Sequence, residues 1–480
     1  MTSAPNPSAA PPTPQTLARN LGLFDAAMIV MGGIVGAGIF INPYVVAQQV
    51  RTPVLILGAW IVGGLIALAG AFIYAELAAR IPDVGGQYAY LREAYHPAIA
   101  FLYGWVLLLV IQTGGMAAVS ITFARYLLDL TGAHVPDWLV GAAALGVLTI
   151  VNCLGVKQGS AVQSALMVMK IVAIAALIFC GVFLLGRPSQ FTLRPVFGEP
   201  PSFHLLSMFG AAMVPVLFAY GGWQTANFIG GEIRDPRRNL PRGLLIGVCG
   251  VIALYVGVSF VCVRALGPAG LAHTETPASA VMRIALGETG GKLIAVGIAI
   301  STLGFLSQSI LTAPRVYFAM ADDGLFFRAV ARIHPHTRVP VVAIVLQSLW
   351  TMVIAVSGRY EQILNYVVSM DFIFFGLTAT CIFVFRRRDR VGAACAHGAP
   401  HLPDSGGCGW SRSGTAHRVP GHPVTTALFV AACWLVVANT IYRYPRNSLL
   451  GMAILAAGVP VYFAWSIRGS GRHRIPDSSH

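Results

Sequence analysis

Catalysis by side chains calls for a nucleophile beside a base, a pair of carboxylates, or a cluster of metal ligands. This chain offers none of these at a recognisable spacing. It offers backbone. Two apolar runs are interrupted near their middles by glycine: FDAAMIVMGGIVGAGIFINP (24–43), with Gly32, Gly33, Gly36 and Gly38, and PVLFAYGGWQTANFIGGEIRDPRRNLPR (215–242), with Tyr220-Gly221-Gly222. Glycine weakens a helix, and broken backbone survives at membrane depth only where protein or a water-filled cavity satisfies the freed N–H and C=O groups. Unwinding the first run near Val35, Gly36, Ala37 and Gly38 exposes the N-terminus of a half-helix, whose N–H groups and dipole suit a carboxylate. The carbonyls at the end of the preceding half-helix suit an ammonium. The second run, broken at Tyr220, Gly221 and Gly222, offers the same chemistry from the other side. A solute with neighbouring ammonium and carboxylate groups matches both poles. Close helix packing is the plainer reading of either glycine cluster alone; it is the pair that favours a binding site.

Two ionisable residues stand inside apolar runs. Lys170 lies in SALMVMKIVAIAALIF and Asp371 in NYVVSMDFIFFG. Such residues are costly in a membrane and are functional by default. Lys170 is the candidate coupling group, able in principle to load and release a proton, against the alternative of a lysine snorkelling to the interface. Asp371 and Ser307 are weaker pocket candidates. Ser307 belongs to a polar face, Ser301-Thr302 and Ser307-Gln308-Ser309, that interhelical hydrogen bonds would equally explain. Phe218, Tyr220 and Trp223 could form an aromatic wall or gate. Glu76 and Glu232 sit near span ends, where a hydrogen-bond network is expected.

The elements that must position these residues are membrane helices. Only 10% of the 480 residues are charged, 56% are hydrophobic and the mean hydropathy is +0.71, against about 25% charged in soluble domains. The chain therefore reads as an all-α integral membrane protein, with the lipid bilayer as its surroundings. Twelve transmembrane helices are expected near 23–49, 53–80, 97–130, 136–155, 160–186, 204–231, 240–266, 289–320, 339–357, 360–386, 424–442 and 447–467. The net charge of +14 is placed by the loops and implies no nucleic acid: with both termini in the cytoplasm, 21 of the 32 basic residues fall on the inner side.

Helices 1 and 6, the broken ones, lie five spans apart, which is the sequence pointer to a five-plus-five inverted repeat with two further C-terminal helices. The expected division is a disordered cytoplasmic tail (1–16), a first repeat (17–200), a second repeat (201–390), a cytoplasmic loop (391–423), helices 11 and 12 (424–467) and a cytoplasmic tail (468–480). The tail 1–16 lacks the basic start of a signal peptide. The segment IPDVGGQYAYLREAYHP (81–97) is too polar to cross and suggests a short cytoplasmic helix, part of an inner gate or else anchored at the interface by Tyr88, Tyr90, Leu91 and Tyr95. The loop carries Cys395, His397, His401, Cys408, His417 and His422, without the spacing of a zinc site. No metal, cofactor or disulfide framework is expected, and an enzyme is not.

The motifs GGIVGAGIF (32–40), FAYGGW (218–223), EIRDPRRNLPRG (232–243), SILTAPRVYFAMADDG (309–324) and RVPGHPV (418–424) resemble the amino acid–polyamine–organocation (APC) superfamily of amino acid permeases, near the L-type amino acid transporters. The resemblance covers about residues 17–467. It implies a leucine-transporter-like fold in the cell (plasma or inner) membrane. It also implies that Gly36, Ala37 and Gly38 present N–H groups to a substrate carboxylate, and that Ile34, Phe218, Ala219 and Gly221 present carbonyls to its amine. Lys170 aligns with a lysine that replaces a sodium site between spans 1, 5 and 8. The implied function is sodium-independent amino acid transport by alternating access, for neutral L-amino acids, as exchange or proton symport. A cationic amino acid or polyamine carrier, with Asp371 as its acid, and an amino-acid-binding sensor without transport are the rivals. Ala37 stands where many relatives have serine, which removes one hydroxyl, and Gln224 stands where several have Asn or Asp. No cysteine is evidently placed for a heavy-chain partner.

Overall fold

The computed structural model describes residues 19–185, 194, 202–357, 360–398, 417–443 and 445–470. The described residues fold into helices joined by short turns, with one isolated parallel bridge, Leu21 to Ile233. The first half holds α1 (Leu23–Ile34), α2 (Gly38–Gln49), α3 (Pro53–Arg80), α4 (Gln87–Ala94), α5 (Pro97–Val106), α6 (Gln112–Thr131), α7 (Asp137–Cys153) and α8 (Val156–Phe179). The second holds α9 (Phe203–Tyr220), α10 (Pro236–Ala272), α11 (Pro277–Thr312), α12 (Pro314–Asp322), α13 (Val341–Ser357), α14 (Tyr360–Gly398), α15 (Val424–Arg443) and α16 (Pro445–Ser470).

Nine helical runs among the described residues are long and apolar enough to cross a bilayer, and α1 with α2, bent by 42° at their junction, makes a tenth. The remaining two expected spans correspond to α7 and α13, apolar helices of 17 residues each. At 1.5 Å per residue these are about 25 Å long, a little under the ~30 Å of a hydrocarbon core. Large apolar side chains such as Val147, Ile150, Val172 and Leu435 point outward, as expected of helices that use lipid, not water, as their outer solvent.

Several segments depart from the sequence reading. The second interrupted run does not resume as an α-helix: beyond Gly222 it winds as a tight 3-10 segment, Trp223–Glu232, before α10. Spans 7 and 8 run into further helical turns across Gly267 and Gly287, both in the left-handed region. The expected third span is α5 and α6 joined by a π-helical turn, Leu107–Ile111. Helix α14 carries on through Gly398, inside the stretch expected to be loop from 391, and α16 runs to Ser470. Residues 1–16, His401 and Cys408 lie outside the described residues.

Helix α4 is not an interfacial anchor. Tyr88, Tyr90 and Leu91 are buried in protein and only Tyr95 is exposed. The Tyr88 hydroxyl donates to Asp323 Oδ2 (2.7 Å), Arg92 donates to the same carboxylate (2.8 Å), and Tyr90 donates to Asn227 Oδ1 (3.2 Å). The N–H of Gly85 donates to Phe228 O at 2.9 Å. Outside the spans, burial and the Asp323 carboxylate together raise the Tyr88 phenol well above its usual range.

The same end of the bundle is closed by two charge clusters. Glu76, fully buried, accepts from Arg80, from Nε and Nη2 of Arg386 (3.0 and 2.6 Å) and from the Val419 N–H (2.8 Å). Glu232 pairs with Arg315 at 2.6 and 3.3 Å, both inaccessible to solvent. Arg315, within the span expected over 289–320, is thus a core residue. Removing one partner of a buried pair strands the other charge, at a cost of about 3–5 kcal/mol. Arg315→Met should therefore lower the thermal midpoint in detergent sharply. The double variant Arg315→Met/Glu232→Gln should recover part of the loss, a coupling that unfolding of the two single and one double variants would measure.

Candidate functional site

The two broken runs meet. A Cβ on Gly33 would lie 2.6 Å from the carbonyl oxygen of Gly222, and one on Gly222 would strike the Gly33 carbonyl. Gly222 also has φ of 101°, which L-residues avoid. The sequence uses glycine here for close approach and for a left-handed turn at one point. Between the breaks lies a cavity of about 100 Å³, room for a few waters or a small polar solute.

Of the residues singled out from sequence, Ile34, Gly36, Ala37, Gly38, Phe218, Ala219, Gly221 and Asp371 line this cavity. Val35, Tyr220, Trp223, Ser307 and Lys170 do not. The Tyr220 hydroxyl donates to Trp60 O (3.1 Å) and its ring packs edge-on against Trp60. Trp223 stands perpendicular to Tyr74, 4.6 Å between centroids, and against Phe375. Both rings brace the second break from outside the cavity. Ser307 is fully buried with no partner for its hydroxyl among the described residues.

Hydrogen bonds from neighbouring helices hold the first break open. Lys170 is fully buried and donates to Val35 O at 2.5 Å, its stem lying over Gly304. The Ser301 hydroxyl donates to Gly36 O (3.0 Å). Tyr255 from α10 donates to Ile34 O (3.0 Å) and lies 3.3 Å from Ala219 O, so one hydroxyl bridges carbonyls of both breaks. On the second break, Gln224 Oε1 accepts from Gly222 N–H (3.1 Å), and Gln308 Nε2 donates to Thr225 Oγ1 (2.5 Å). With these carbonyls braced, the N–H groups of Gly36, Ala37 and Gly38 at the start of α2 have no acceptor among the described residues. They face the cavity as a ready site for an anionic group.

The sequence reading missed Gln112, Gly115, Phe305, Phe372 and Phe375, which also line the cavity, and named Gln308 only as part of a polar face. Gln112 had one available signal: it follows the π-helical turn, a rare feature associated with functional positions, but nothing in LLLVI announces that turn. Tyr255 read as one more aromatic in an apolar span.

The amino acid permease family profile matches residues 21–463. The chain is 30% identical to the serine/threonine exchanger SteT of Bacillus subtilis (strain 168) over 456 residues, covering 94% of this chain and 98% of that protein. It is 29% identical to large neutral amino acids transporter small subunit 2 of Oryctolagus cuniculus over 457 residues, 93% of this chain and 80% of the relative. It is 27% identical to the human cystine/glutamate transporter over 458 residues, 94% and 86% respectively. These relatives are transporters and exchangers, not enzymes, and with its many apolar spans and glycine-broken helices this chain belongs to the amino acid permease family of the APC superfamily.

Proposed function

We propose that the protein is a sodium-independent secondary transporter of amino acids, neutral L-amino acids first, that works by alternating access as an exchanger or proton symporter. The observation that carries this reading is the meeting of the two breaks around a cavity with three free N–H groups on one wall. An α-carboxylate sits on the N–H groups of Gly36, Ala37 and Gly38. The α-ammonium faces carbonyls of Ile34, Phe218, Ala219 and Gly221, of which Ile34 and Ala219 keep a second lone pair beside the Tyr255 bond. Phe218 and Phe305 supply apolar cover for the substrate's stem.

Lys170 supports the sodium-independent part. Its ammonium holds the Val35 carbonyl between α1, α8 and α11, a place where a bound cation would otherwise meet the same backbone dipole. The lysine thereby couples the geometry of the first break to the two helices behind it. The fold is read as two inverted repeats of five spans followed by two more, twelve in all, with both termini in the cytoplasm of a cell that carries the protein in its plasma or inner membrane. In that frame the α4 end is the inner gate, closed here by Tyr88 and Arg92 on Asp323 and by the Glu232–Arg315 pair.

Purified protein in liposomes, given labelled amino acids with and without internal amino acid, tests the proposal. Saturable uptake that is unchanged when sodium is replaced by potassium is expected; saturable binding without flux would instead make the protein a sensor. Gly36→Leu isolates the site, because a Cβ there meets only the Phe305 ring at 3.6 Å. The variant should keep its thermal midpoint within a few degrees and lose uptake at least tenfold. Arg92→Asp should open the inner gate more often, raising the labelling rate of a cysteine placed at Gln224 by a thiol reagent applied from the cytoplasmic side. Adding Asp323→Arg should restore the slower rate.

A further inference from the structure

A carboxylate stands at the cavity with nothing to pair with. Asp371 lines the same cavity as Gly36 and Phe218, yet among the described residues it has no hydrogen-bond or ion-pair partner, and no charged side chain acts on it. Asp371 is half-buried, whereas the two fully buried carboxylates described above are paired: Glu76 with Arg80 and Arg386, Glu232 with Arg315. An uncompensated charge in a low-dielectric interior is expensive, and such a group takes up a proton or a cation.

The surroundings of Asp371 are those of a proton site. On the cavity side stands Gln112, whose amide also lacks a partner among the described residues, with the Phe372 and Phe375 rings beside it. On the same helix as Asp371, Phe375 packs against Tyr74 of α3 and Phe374 against Tyr103 of α5. The hydroxyls of Tyr74 and Tyr103 are both buried without a hydrogen-bond partner among the described residues. Tyr317 of α12 lies behind Tyr103, and its hydroxyl is likewise unpartnered. The remaining titratable groups nearby are Cys433 of α15 and Cys381 of α14, both next to Tyr74. Lys170, by contrast, is sealed: it is fully buried, bonded to Val35 O and absent from the cavity lining.

We infer that Asp371, not Lys170, is the group that exchanges a proton with the cavity during transport, with Gln112 and the Tyr103 hydroxyl as its neighbours. The inference rests on the transporter reading above. In the outward-facing form the carboxylate takes one proton from a hydronium in the cavity and leaves water. In the inward-facing form it returns that proton to water. The Asp371 charge is neutralised while the substrate crosses, so the loaded form moves one more positive charge than the unprotonated one.

The experiment compares wild type, Asp371→Asn and Asp371→Glu in liposomes loaded with a pH dye. Uptake is measured with and without an inward proton gradient, and exchange against internal amino acid at equal pH. Wild type should be accelerated several-fold by the gradient, and its substrate should acidify the lumen. In Asp371→Asn, whatever the absolute rate, the ratio of uptake with gradient to uptake without should fall to about one, and the acidification should vanish. Asp371→Glu should keep a ratio above one with a displaced pH profile. Two results would overturn the inference: a wild type that exchanges amino acids yet ignores the gradient, or an Asp371→Asn that still follows it, whether or not it loses cationic amino acids. Absence of any flux in wild type would instead defeat the transporter reading itself.

Discussion

Backbone N–H and C=O groups have no water to fall back on at membrane depth, and each one left unpaired there costs several kcal/mol. That constraint organises this molecule. Opening α1 after Ile34 and α9 after Tyr220 frees backbone groups at two places, and the surrounding helices are arranged to satisfy most of them. Lys170 takes the Val35 carbonyl, Ser301 that of Gly36, Tyr255 those of Ile34 and Ala219, and Gln224 the N–H of Gly222. What they leave free, the N–H groups at the start of α2, is the polar part of the cavity. The polar part of the cavity is thus the remainder of an accounting of hydrogen bonds, and its character follows from which partners the neighbouring helices supply.

The features that depend on one residue breaking a local rule could be read from the chain alone. Glycines inside membrane-length apolar runs announce both breaks, and a lysine within SALMVMK announces itself. Features set by how helices meet could not. Tyr220 and Trp223 adjoin the second break in sequence, yet the turn at Gly222 directs them away from the cavity into contacts with Trp60 and Tyr74. Gln112 and Phe305 sit in runs whose composition is ordinary, and only packing brings them to the cavity that Gln308 of the polar face also lines. Nothing in the run around Arg315 announces Glu232, 83 residues earlier, as its partner. Residues 81–97 are correctly too polar to cross, but their tyrosines serve protein contacts, because Asp323 and Asn227 offer acceptors that no inspection of 81–97 reveals.

The two ends of the bundle are held by unlike means. The α4 end is laced by ion pairs and by the Leu21–Ile233 bridge, with Arg234 N–H to Leu21 O at 2.8 Å. Isolated exposed pairs contribute little, about 0–1 kcal/mol, so the Arg92–Asp323 contact, partly open to solvent, is suited to repeated breaking. The sealed Glu232–Arg315 pair is not, and it serves as fixed structure linking the 3-10 segment to α12. An end held by one strong and several weak contacts can loosen locally without dismantling the core beneath it.

The π-helical turn at Leu107–Ile111 has a consequence for how this cavity tolerates change. Such a turn accommodates one residue more than an α-helix needs. Everything that follows in α6, including Gln112 and Gly115, is therefore rotated by about 100° from where an unbroken helix would place it. The chemistry at this wall is consequently a matter of phase. A one-residue deletion within 107–110 would leave the apolar character, the span and every side chain of the lining intact, and would turn the polar and small residues away from the cavity while presenting their neighbours in their place. Descendants of this sequence can alter the shape of the wall by shifting a helix's winding as readily as by changing any residue on it.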